Sequence, residues 1–227
     1  MHIYAFGSIC RGDVSVSSDV DLLAIVGSVD SRFDPDVYSV YSYKRIQELW
    51  EEGNPFGWHL SMESRLLFAE DDRDYLKALG SPKPYKHCVR DCEKFRSLFC
   101  DSYGSVVAGR PSAIFDLATI FLSIRNLATC YSLGATHRPD FSRNSALSLG
   151  SRSLRLPEDS YRVLERARIL CTRGYGANIM EKEIKATLGQ LKEVRAWMDD
   201  LVDEARKYER IQQSRCSSEA NTSISKS

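Results

Sequence analysis

The sequence predicts an α+β protein: a small mixed-sheet core over residues 1–80, followed by a C-terminal helical bundle over 85–210. Three observations predict it. Short apolar or alternating stretches separated by turn residues fill the first 80 positions. Ser81-Pro82-Lys83-Pro84 places two prolines in a short space, which favours an extended connector and a domain boundary. Beyond it, apolar residues recur with the spacing of helices.

Each element follows from local pattern. His2-Ile3-Tyr4-Ala5-Phe6 ends at Gly7 and reads as a strand, and Val20 to Val26 reads as a second, buried one. Gly27 to Pro35 is loop, and the alternation from Val37 to Tyr43 gives a third strand. Lys44 to Glu52 is helical and stops at Gly53. Trp58 to Met62 and Leu66 to Phe68 fit strands or short helices, and Asp71 to Leu79 fits a short helix. In the second half, helices are expected over 86–103, 112–133, 157–173 and 180–208. Ser112 to Leu133 is apolar on most faces and should run through the centre of the bundle. Ile184, Leu188, Leu191, Met198, Leu201 and Ala205 form the stripe of the last helix. The Ser-, Gln- and Lys-rich segment 211–227 is expected to be disordered.

Composition narrows the function classes. The 227 residues balance 31 Lys+Arg against 31 Asp+Glu, which argues against a broad basic nucleic-acid footprint. No apolar run is expected to serve as a membrane span, because Asp116, Arg125 and Asn126 interrupt the best one. The N-terminus lacks the pattern of a signal peptide, so a cytoplasmic protein is expected. The seven cysteines are scattered and read as free thiols; His87, Cys88, Cys92 and Cys100 lack the second short-spaced pair of a zinc site.

The informative stretch is Gly7-Ser8-Ile9-Cys10-Arg11-Gly12, then Ser18-Asp19-Val20-Asp21-Leu22-Leu23. Alternate strand residues share a face roughly 6.5–7 Å apart, so Asp19 and Asp21 project together while Val20 and Leu22 point to the core. Two carboxylates aimed at one place repel unless a cation lies between them. Mg²⁺ with phosphate oxygens suits such a pair, and Mn²⁺ would serve in its place. Gly7 permits close backbone approach to a phosphate, and Ser8 supplies a hydroxyl and an N–H. A helix is expected after Ser8, its N-terminus favouring anions. Ser18 flanks the acidic pair. Arg11 either adds charge for the phosphates or pairs with Asp13.

These residues resemble the DNA polymerase β-like nucleotidyltransferase superfamily, in which a Gly-Ser pair, often followed by Arg-Gly, precedes Asp-x-Asp in the next strand. Ser8 and Asp19 stand eleven apart, as in the compact bacterial members. The resemblance in motif covers about the first 26 residues; the layout of an α/β half and a helical half is also similar. It implies a nucleotidyltransferase core over 1–80 and transfer of a nucleoside monophosphate from an NTP, ATP first, to an acceptor hydroxyl, releasing pyrophosphate. Asp19 and Asp21 would be catalytic and metal-binding; Gly7, Ser8, Arg11 and Ser18 would bind the nucleotide. The acceptor would be a small molecule or a protein, with nucleic acid disfavoured by the neutral composition.

One part of the pattern is missing. The family's third carboxylate has no counterpart in Val37 to Tyr43, leaving Asp36 and Glu63 as substitutes. The alternative is therefore a catalytically weak or inactive nucleotide-binding or partner-binding module, such as a toxin–antitoxin component. Elsewhere, Arg125 in the most apolar helix needs a partner, for which Asp116 is a candidate. His59, beside aromatic residues, is expected to be packed and hydrogen-bonded rather than functional.

Overall fold

A computed structural model describes residues 1–13, 20–28 and 30–224. The architecture is α+β, and the chain divides into two compact units, Met1–Lys86 and His87–Ser227.

The first unit is built on a four-stranded mixed sheet. In chain order its elements are β1 (His2–Phe6), α1 (Ser8–Arg11), β2 (Asp21–Val26), β3 (Tyr38–Ser42), α2 (Tyr43–Glu51), α3 (Pro55–Glu63), β4 (Ser64–Ala69) and α4 (Tyr75–Ala78). The spatial order is β3-β2-β1-β4. β1 runs antiparallel to both β2 and β4, whereas β2 and β3 are parallel.

One face of the sheet is covered by helices. Tyr4, Phe6, Leu23 and Ile25 pack against Ile46, Leu49 and Trp50 of α2, Leu60 of α3 and Leu76 of α4. Ile46, Leu49 and Trp50 lie on one helical stripe, and the Ser42 side chain caps α2 by accepting from Arg45 N–H at 3.1 Å. The buried Tyr4 hydroxyl donates to Asp74 Oδ1 at 2.9 Å and accepts from Leu76 N–H at 3.0 Å. Burial pushes the Tyr4 phenol's pKa well up. Behind the sheet, Ala24, Val26 and Phe33 form a smaller cluster with Met1, Ile3 and Tyr38.

β2 is thus apolar on both faces, and the expected facing of its residues is reversed. Leu23 and Ile25 meet the helices; Leu22 is half-buried on the other side and Val20 is 52% exposed. Alternation cannot assign faces in a strand that is apolar on both.

Of the two arrangements the pattern allows, residues 55–63 take the helix and 64–69 the strand. Asn54 caps the helix, accepting from Phe56 N–H at 2.9 Å, and Pro55 takes the first turn, where its missing N–H costs nothing. The expected helix after Ser8 is a single turn, too short to carry much of a helix dipole.

The proline connector belongs to the first unit. Lys83 N–H donates to Trp50 O at 2.9 Å, the Trp50 indole donates to Gly80 O at 2.9 Å, and the Trp58 indole donates to Lys83 O at 3.1 Å. Gly53, at φ +62°, turns the chain beneath it, with the carbonyls of Lys83 and Pro84 where a side chain would be.

The second unit comprises α5 (Cys88–Val107), α6 (Ala113–Tyr131), α7 (Glu158–Arg173) and α8 (Glu181–Ile224). α6 continues into a π turn, Ser132–Thr136. Leu117, Ile120, Phe121, Ile124 and Leu127 of α6 are buried, as are Cys92 and Phe99 of α5, Tyr161 and Leu164 of α7, and Leu191, Met198, Leu201 and Ala205 of α8. By length and composition Ala113–Thr136 does reach a membrane span, with 61% of its apolar window buried inside the protein. Asp116 and Arg125 are too few to offset its many apolar residues. The tail expected to be disordered is helical through Ile224, with 225–227 outside the described residues; no Pro or Gly interrupts the chain after Gly189.

Gly53→Ala tests the buckle formed by the connector. The substitution combines an unfavourable φ with a backbone clash, and should lower unfolding free energy by about 2–3 kcal/mol in a denaturant titration.

Candidate functional site

The register of β1 assembles the site. Phe6, its last residue, pairs with Asp21 on one side and with Ser64 on the other. The start of β2, the end of α3 and the turn after β1 therefore meet at one end of the sheet. Gly7 makes that turn at φ 77°, a conformation that side chains disfavour. Its N–H donates to Glu63 O at 3.0 Å.

Asp21 shares the helix-covered face with Leu23 and Ile25, at its rim. Its Oδ2 lies 2.8 Å from where a Gly7 Cβ would be, and His59 Cε1 lies 3.9 Å from the same point. Gly7 thus leaves room that the Asp21 carboxylate fills. Ser8 is half-buried and opens α1 beside them.

Glu63 ties this end of the sheet together. Its side chain, 12% exposed, receives the Arg11 guanidinium, and His59 Nε2 lies 3.0 Å from Glu63 Oε2. His59 and Glu63 stand one turn apart on α3, the spacing that brings helical side chains into contact. The His59 ring meets Phe6 edge-on, with centroids 5.7 Å apart. Arg11 Nε also donates to Asp13 Oδ2 at 3.0 Å. Burial opposes the charge on Arg11, but the bonds to Asp13 and the charge of Glu63 outweigh it and raise the guanidinium's pKa. Burial likewise raises the Cys10 thiol, which donates to Ala5 O at 3.4 Å.

Of the residues singled out in the sequence, Gly7, Ser8, Arg11, Asp21 and Glu63 are brought together. Ser18 and Asp19 lie outside the described residues. Asp36 is exposed in a turn, where its N–H donates to Asp34 Oδ1 at 2.9 Å, and β3 itself carries no acidic side chain. Among the described residues, no group of three or more His, Cys, Asp or Glu side chains is arranged to hold a metal. Cys88 and Cys92 instead donate to α6 carbonyls, Cys130 O at 3.4 Å and Leu127 O at 3.8 Å.

His59 is packed against aromatic rings, as expected, and the structure adds its neighbour Glu63. The signal was present: once Asn54-Pro55 is read as a helix start, His59 and Glu63 fall at helical spacing. The sequence offered Asp116 or a ligand as a partner for Arg125, but nine residues of helix separate Asp116 from it by about 13.5 Å. Arg125 donates to Ser142 O at 3.2 Å and Phe141 O at 2.7 Å, while Asp116 accepts from the Ser105 and Ser112 hydroxyls at 2.7 and 3.2 Å.

Compared with protein-family models, with curated proteins and with solved structures, the chain matches none.

Glu63→Ala removes the carboxylate shared by Arg11 and His59. Asp13 remains for Arg11, so the expected cost is about 2–3 kcal/mol of unfolding free energy, read from a denaturant titration.

Proposed function

We propose that this chain is a Mg²⁺-dependent nucleotidyltransferase, moving a nucleoside monophosphate from an NTP, ATP first, to an acceptor hydroxyl and releasing pyrophosphate. The observation that carries this reading is the contact between the two parts of the motif. The Asp21 carboxylate fills the space left by the missing side chain of Gly7, so the Gly-Ser turn and the acidic strand are neighbours. A phosphate-binding turn beside a rim carboxylate is what an NTP–metal complex requires.

The roles follow from chemistry. The Ser8 hydroxyl and backbone N–H would donate to the terminal phosphates, which Gly7 lets approach closely. Asp19 and Asp21 would hold Mg²⁺, which when bound neutralises phosphate charge and polarises the reacting oxygens. Asp21 fits that role by its place at the rim of the sheet, and Asp19 by its sequence position. The acceptor is a small molecule or a protein hydroxyl, since the charge balance offers little to a nucleic acid.

A second reading is favoured by Glu63. Its carboxylate is engaged by Arg11, with His59 close by, and β3 supplies no acid in its place. A chain without a third carboxylate would bind Mg²⁺–NTP and turn it over slowly or not at all.

Calorimetry with Mg²⁺–ATP, followed by pyrophosphate release over candidate acceptors, separates the readings. Transfer predicts binding and release; the non-catalytic module predicts binding alone. The double substitution Asp19→Asn, Asp21→Asn should reduce release to background while the chain stays folded. Undiminished turnover in that variant would overturn the mechanism.

A further inference from the structure

We infer that Glu63 is a positioning residue for the phosphate-binding turn and not a third metal-binding carboxylate. The inference rests on the nucleotide reading above and deepens it. Glu63 grips α1 from both ends. Its main-chain carbonyl accepts the Gly7 N–H at 3.0 Å, immediately before Ser8. Its carboxylate pairs with Arg11, the last residue of the same turn, which is only 21% exposed at its side chain.

Ser8 sits between these two anchors. Its backbone direction is fixed by Gly7 on one side and by the Arg11–Glu63 pair on the other. His59, one turn earlier on α3, places its Nε2 3.0 Å from the same carboxylate. Both Glu63 partners bear on Oε2, one of them a guanidinium. A divalent cation placed on this carboxylate would meet the positive charge of Arg11 at close range, in a half-buried setting where repulsion is weakly screened. Glu63 therefore suits the task of holding the turn far better than that of holding a metal. A bidentate, planar guanidinium also explains Arg at position 11, since it reaches Asp13 and Glu63 at once.

The test is a double-mutant cycle on Mg²⁺–ATP affinity with the full chain. Calorimetry is performed on the wild type, Arg11→Gln, Glu63→Gln and the pair, with the Mg²⁺ concentration for half-maximal ATP binding measured for each. Glu63→Gln keeps the side-chain shape, and melting curves establish that each variant is folded. Arg11→Lys keeps the charge without the fork.

Each single Gln variant should weaken ATP binding about tenfold, the pair no more than either alone, and Arg11→Lys by less. The Mg²⁺ requirement should not change. Additive losses, or a rise of about tenfold in the Mg²⁺ requirement of Glu63→Gln, would overturn the inference in favour of a metal ligand. Unchanged ATP affinity in a folded Glu63→Gln would overturn it in favour of a purely structural pair. Failure of the wild type itself to bind Mg²⁺–ATP would overturn the nucleotide reading, before any variant is compared.

Discussion

The first unit depends on the pairing of one strand. Among the described residues, β1 is the only strand bonded to two antiparallel neighbours, and its last residue pairs on both sides, Phe6 against Asp21 and Phe6 against Ser64. A slip of one residue in either pairing would turn every side chain of that neighbour to the opposite face. Leu23 and Ile25 would leave the helix-covered core, and Asp21 would leave the Gly7 turn. Core packing and site assembly are thus one constraint, because the residues that bury the sheet and those that gather at its end alternate along the same strands. The apolar contacts of Tyr4 and Phe6 with α2, α3 and α4 enforce the register, and the polar cluster benefits from it.

Much of this was legible in the residues. Turn chemistry and alternation located the strands, and helical spacing located the bundle. Gly7 and Asp21 stand out in the sequence because few residue types suit a tight turn or an acidic strand start, and the structure places the two side by side. Three features were hidden for physical reasons. The facing of β2 was lost because both of its faces are apolar. α3 was left open between strand and helix, because Phe56 and Trp58 favour strands whereas Asn54-Pro55 favours a helix start. The grouping of His59 and Glu63 with Arg11 depends on contacts across more than fifty positions, which local spacing does not encode.

In the helical unit, two charged residues of one helix are satisfied without meeting each other. Arg125 and Asp116 lie on one helix, yet each is satisfied separately, the guanidinium by main-chain carbonyls of 141 and 142 and the carboxylate by serine hydroxyls. Neutral partners suit half-buried or buried ions when geometry prevents a direct pair, since hydrogen bonds to charged groups are worth more than those between neutral ones. The segment after α6 is held to it by Arg125 and by the Thr129 hydroxyl, which donates to Asp140 O at 2.9 Å. Direct pairs occur in both units: Arg11 meets Asp13 and Glu63 in the first, and Arg143 meets Glu165 and Arg166 meets Glu183 in the second.

The connector carries a consequence for where the first unit ends. Two prolines mark a boundary to the eye, yet the residues around them close over Trp50, Gly53 and Trp58. A fragment truncated at Gly80 would strip the Trp58 indole of its acceptor and leave the left-handed turn at Gly53 without a wall. The compact first unit runs past both prolines, through Lys86. Sequence punctuation and structural closure thus differ here, and the hydrogen bonds of the tryptophans decide between them.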